Sequence, residues 1–165
     1  MSSDPTSVVF DVHVFVSALI GADSTYPLIS GVPPSSSNAA ADCLSIAFDA
    51  EEFRLHTSPH ILTNTARVLK AAGLTTALVE RYVQALLEIV AETGGKVIDP
   101  TRTVFEVQDY EDNLILDLVM AVDARILVSD DTDLTSLNPW NGRLIMRPRT
   151  FVERVIQSRR LHRLP

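Results

Sequence analysis

The chain has a single cysteine, Cys43, in 165 residues. That excludes an internal disulfide, and a zinc site would need further ligands that do not cluster around it. Long apolar runs are also missing. None approaches the roughly 18 to 20 residues needed to span a bilayer. Residues 1–7 are polar, without the basic start and apolar middle of a secretory signal, so the cytoplasm is the expected compartment and no membrane partner is expected. Lysine does not occur after Lys96. What is present is ordinary for a globular protein: 46% hydrophobic and 21% charged residues exclude a generally disordered chain. The length suits one domain, residues 1–165, with a full core.

A net charge of −7 argues at first against a polyanionic partner. The distribution changes that reading. Seven arginines (143, 147, 149, 154, 159, 160 and 163) and one acid, Glu153, fall in the last 23 residues, which hold half of the 14 Lys and Arg. Acids crowd elsewhere: Asp109, Glu111, Asp112, Asp117, Asp123, Asp130, Asp131 and Asp133 fall within 25 residues. A solvated basic tail and a surface for nucleic acid both fit the arginines.

Residues 7–11 (SVVFD) read as a buried strand ending in an acid. Residues 12–20 read as a helix stopped by Gly21. A long Pro/Ser-rich loop over 21–38 has the look of a lid or binding segment. Asn38 can cap a helix to about residue 50, and residues 53–57 alternate as a second strand. Ser58-Pro59 opens a helix that Gly73 ends. Residues 74–93 carry a clear apolar stripe of Leu78, Val79, Tyr82, Val83, Leu86, Leu87 and Val90. Residues 96–98 are a short strand candidate before Asp99-Pro100. A helix follows over 109–122 with Leu114, Leu118 and Val122 on one face. Then come a strand at 125–129, a helical turn at 131–137, a strand at 143–146 and a final helix over about 149–158. Alternating strands and helices imply an α/β three-layer sandwich with a mainly parallel central sheet.

In such a sheet ligands bind beyond the carboxyl ends of the strands. Asp11 and Asp131 follow strands there, and Asp109 and Asp112 open a helix that points the same way. Carboxylates gathered within about 5 Å repel one another by kcal/mol amounts. They must hold protons or a cation. Oxygen donors of this kind suit Mg²⁺ or Mn²⁺, and such an ion serves phosphodiester hydrolysis. Each acid also has an ordinary reading: Asp11 as a helix cap, Asp109 and Asp112 as cap and dipole partners, and Asp130, Asp131 and Asp133 as a turn.

These segments together resemble the PIN-domain family. VVFDVHVFVSALIG is similar to its opening strand and helix, and SPHILTNTARVLKAAG to its second acidic helix. DYEDNLILDLVMAVDARILVSDDTDLTSL is similar to its later acidic segments, and GRLIMRPRTFVERV to its closing strand and helix. The resemblance implies a PIN-like fold with catalytic, metal-binding Asp11, Asp112 and Asp131 and with Asp133 as an auxiliary acid; Asp109, from its place at the helix start beside Asp112, is a further auxiliary candidate. It also places two departures. His13 stands where an asparagine is usual, and neutral Asn64 stands where an acid is expected. His13 is read either as a group acting on phosphate or metal, or as a helix-start residue with ordinary hydrogen bonds. His60 shares a helix face with Asn64.

The function implied is a metal-dependent endoribonuclease similar to VapC-type toxins of toxin–antitoxin pairs. Such a protein would be a homodimer neutralised by a small antitoxin, with Arg143, Arg147 and Arg149 holding the RNA substrate. The alternative is a catalytically degenerate PIN-like module that binds RNA or protein, motivated by Asn64 and His13. A receiver or phosphatase domain also places an Asp after its first strand. The missing late lysine and His13, two residues after Asp11, tell against these.

Overall fold

Strand pairing puts the carboxylates where they are. In the computed structural model, which describes residues 4–21, 37–49 and 51–163, β1 (Thr6–Phe10) pairs in parallel with β2 (Phe53–His56) on one side and β3 (Ile126–Val128) on the other. β3 in turn pairs in parallel with β4 (Leu144–Met146). The sheet order is β2-β1-β3-β4, every pair parallel. Val8, Val9 and Phe10 point alternately to opposite faces, yet all three are fully buried. Both faces of β1 are therefore covered, as the continuous apolar run predicts.

The helices are those the caps specify. α1 (Val12–Ile20) is capped by Asp11, and α2 (Ala39–Phe48) by Asn38, whose side chain accepts from Ala41 N. α3 (Pro59–Ala71) opens on Ser58 and Pro59, and Gly73 leaves it at φ +99°. α4 (Thr76–Glu92) carries the predicted stripe, with Ile89 joining Val79, Tyr82, Leu86 and Val90 in the core. α5 (Tyr110–Ala121), α6 (Thr132–Thr135) and α7 (Pro148–His162) complete the order. α1 packs on α2 and α3, α2 on α7, and α5 against β1. No helix among the described residues is long and apolar enough to cross a membrane.

Two expectations change. The strand over 96–98 reduces to one parallel bridge, Thr57 to Val97. Gly95 lies so close to β2 that an added Cβ would fall 1.8 Å from the Leu55 carbonyl oxygen, and Pro100, which has no N–H, stands soon after. The predicted face of α5 is only half-buried at Leu114 and Val122. Its core contacts come from Ile115, Leu116, Leu118 and Val119. Most of the Pro/Ser-rich loop lies outside the described residues.

Candidate active site

The connection after β1 leads through α1 and α2 to β2, while β3 leads through α6 to β4 on the other side. The chain thus turns in opposite directions at the carboxyl ends of β1 and β3. That is the switch point where an open parallel sheet leaves a crevice. Asp11 emerges there from β1, and Asp130 and Asp131 follow Ser129 after β3.

Capping and site roles coincide in the same side chains. Asp11 Oδ1 accepts from Val12 N at 2.6 Å, which starts α1, while its Oδ2 accepts from Ser129 Oγ at 2.6 Å. Asp131 Oδ1 accepts from Asp133 N at 2.8 Å, which starts α6. Asp109 caps α5 through Glu111 N at 2.8 Å. Each cap occupies one oxygen of a carboxylate that has two. The ordinary and functional readings are therefore compatible.

Ser129 is a residue that the sequence reading passed over. Fully buried, its hydroxyl donates to Asp11 and accepts from Asp131 N at 3.0 Å. A hydroxyl at the end of a buried strand, directly before two acids, was the available signal.

Asp112, in the first turn of α5, completes the convergence. It is 5% exposed, and its Oδ2 is buried without a hydrogen-bond partner. Asp112, Asp131 and Asp133 each offer an oxygen within 4.8 Å of the others. Burial first, then the charges of Asp131, Asp109 and Asp11, push the Asp112 carboxyl up to about 7. Burial also raises Asp11, partly offset by the Ser129 and Val12 hydrogen bonds and by nearby His13. The oxygens that converge are thus those of Asp112, Asp131 and Asp133, whereas Asp11 is not in that set: both its oxygens already accept hydrogen bonds, and, like Asp109, it acts on Asp112 through its charge. A cluster that would rather hold protons than repel itself can instead hold a cation.

The remaining candidates divide. His13 is exposed on α1. Asn64 is buried on α3, but its Oδ1 accepts from Arg67 Nε and Nη2 at 3.3 and 3.2 Å, and its Nδ2 donates to His60 Nε2 at 2.7 Å. Arg147 and Arg149 follow β4 on the acid edge of the sheet. Arg147 pairs with Asp130 at 3.5 Å, and Arg149 reaches the Ser37 carbonyl at 3.3 Å. Arg143 precedes β4 and so lies at the opposite edge, paired with Asp123 at 2.7 Å. Expecting all three arginines at one surface overlooked that a three-residue strand separates them. Asp117, one of the crowded acids, is a fastening. It is buried and accepts from Arg102, Thr103 and Val104. Cys43 is a buried thiol raised well above its usual value by burial.

An all-parallel α/β sheet with acids gathered at its switch point defines a PIN-like domain. Residues 7–133 match the family model of the PIN domain, and the chain belongs to that family. Members are generally metal-dependent nucleases. Comparison with curated proteins returned no match.

Proposed function

We propose that the protein is a divalent-metal-dependent endoribonuclease that hydrolyses phosphodiester bonds of RNA, with Asp11, Asp112 and Asp131 as its catalytic carboxylates. The observation that carries this reading is Asp112, a buried acid with one oxygen unpartnered beside two further carboxylates. An all-oxygen donor set suits Mg²⁺ or Mn²⁺. Held by these three aspartates, such an ion would supply charge neutralisation at the phosphate and activation of water. The protein's own groups do the rest. Ser129 fixes Asp11 and Asp131 relative to each other, and exposed Asp133 stands ready to take a proton from an incoming water. Asp109 adds negative charge next to Asp112, and His13 lies at the rim. Arg147 and Arg149 hold the RNA backbone on this edge, whereas Arg143 serves the fold.

We further read the protein as the toxin of a toxin–antitoxin pair. It would act as a homodimer and be neutralised by a small antitoxin whose acidic segment meets the arginines of α7. A neighbouring reading frame for a small protein with a DNA-binding start and an acidic tail is the observation to seek.

The test is labelled single-stranded RNA incubated with Mg²⁺ or Mn²⁺, alongside Asp11→Asn and Asp131→Asn. Metal-dependent cleavage by the natural protein, lost in both variants, is the expected result. RNA bound but left intact at every metal concentration would instead favour a degenerate PIN-like binding module. That second reading draws on Asn64, whose carbonyl oxygen is already engaged by Arg67 and which adds no charge to the pocket.

A further inference from the structure

β2 is an edge strand. β1 pairs with it on one side, and on the other, among the described residues, only residues 93–98 bond to it. An open edge presents unpaired N–H and C=O groups, so what closes it matters. Leu55 N donates to Thr93 Oγ1 at 2.9 Å, and Thr57 N to the Lys96 carbonyl at 3.1 Å. Ile98 N donates to the Thr57 carbonyl at 3.0 Å. The last bond differs in kind, because Lys96 N donates to a titratable side chain, His56 Nδ1, at 3.1 Å.

That bond fixes the state of the ring. Nδ1 can accept a backbone N–H only while it carries no proton, which leaves the Nε2 proton to donate to Ser7 Oγ at 3.0 Å. His56 is 6% exposed, so water is not at hand to replace either bond. From β1 the ring meets the Ser7 hydroxyl, which is uncharged. The charges that act on it are both positive, Lys96 in the covering segment and Arg54 on β2 itself. Burial first, then these two cations, hold the ring below the ordinary histidine range. The cover has little else to keep it in place. Lys96 and Val97 are exposed and Ile98 is half-buried, so few apolar contacts oppose its release.

We propose that His56 makes the cover over β2 acid-sensitive: a proton taken from solvent at Nδ1 turns that acceptor into a donor, expels the Lys96 N–H and frees residues 95–98 from the sheet edge. The proposal does not depend on the nuclease reading. Release bares the Thr57 N–H and carbonyl on the outer side of β2. Because the folded ring holds a proton less tightly than an unfolded one, the cover is complete above about pH 6.5 and weakens as pH falls below it.

The test is amide hydrogen exchange followed by NMR between about pH 7.5 and about pH 5, expressed as protection relative to the unstructured rate at each pH. Protection at Lys96, Thr57 and Ile98 is expected to fall by up to about tenfold for each pH unit below about 6.5, while Val9 in β1 shows no such fall. His56→Asn keeps a side-chain acceptor near the Nδ1 position and cannot titrate, so its three amides should hold their protection. Asp112, whose carboxyl titrates in the same range, is common to both proteins and cancels in the comparison. Ring nitrogen shifts of His56 in the natural protein give a second reading that needs no variant. They should show the Nε2–H tautomer at about pH 7.5 and protonation only below about pH 6.5. A ring already protonated at the higher pH, or the Nδ1–H tautomer there, overturns the proposal. So does Lys96 protection that stays level while the ring gains its proton, or that falls equally in His56→Asn.

Discussion

With its folded pKa at about 7 and an unfolded carboxyl near 4, Asp112 binds a proton more tightly in the native chain than in the unfolded one. Native stability therefore falls as pH rises through about 4 to 7, and the penalty persists above that window. In EDTA, the melting temperature of the natural protein should drop across this range more steeply than that of Asp112→Asn. At about pH 8 added Mg²⁺ or Mn²⁺ should raise the first and barely move the second. Parallel curves with and without metal would remove Asp112 from the cation site. Ser129→Ala deprives the buried Asp11 carboxylate of its hydroxyl donor and should cost about 1 to 3 kcal/mol in urea unfolding. A loss within error would show that the hydroxyl adds nothing. Asp11, Asp112 and Asp131 were legible as candidates because each ends a strand or starts a helix. The role of Ser129 was only half legible: its place before two acids is a local signal, but its partner Asp11 lies 118 residues away.

At the scale of elements, caps and turns were the readable features. Asn38, Ser58, Asp109 and Asp131 each start the helix expected of them, through contacts only two or three residues apart. α5 was misjudged for the opposite reason. It buries Asp112, Asn113 and Asp117 along with its apolar residues, which blurs the period that a surface helix shows. Asp117 is buried because the preceding loop supplies its donors from residues 102–104. Asp117→Ala should destabilise the protein by about 3 kcal/mol, since it strands buried N–H groups and the Arg102 charge together. Denaturant midpoints unchanged by that substitution would mean that the loop is held elsewhere. The strand expected at 96–98 failed over long-range geometry, because only the approach of Gly95 to Leu55 determines how much of it can pair.

For the molecule as a whole, sequence order foretold an α/β sheet but not which strands adjoin. Only pairing β1 with both β2 and β3 puts the first and last acids at one crevice. Sheet polarity also sorts the arginines that composition lumped together. Arg149→Ala should weaken RNA binding and lower the salt slope by about one, while Arg143→Ala should leave that slope alone and lower stability through lost contact with Asp123. Equal slopes for the two variants would contradict this sorting. The Ser129 hydroxyl has one proton to give, and Asp11 takes it, while its lone pair receives the backbone of Asp131. Neutralising Asp11 would slacken the grip on Asp131 from the far side of the crevice. A change of charge or side chain at Asp11 should therefore be felt at Asp131 through this single shared hydroxyl, without any direct contact between the two carboxylates.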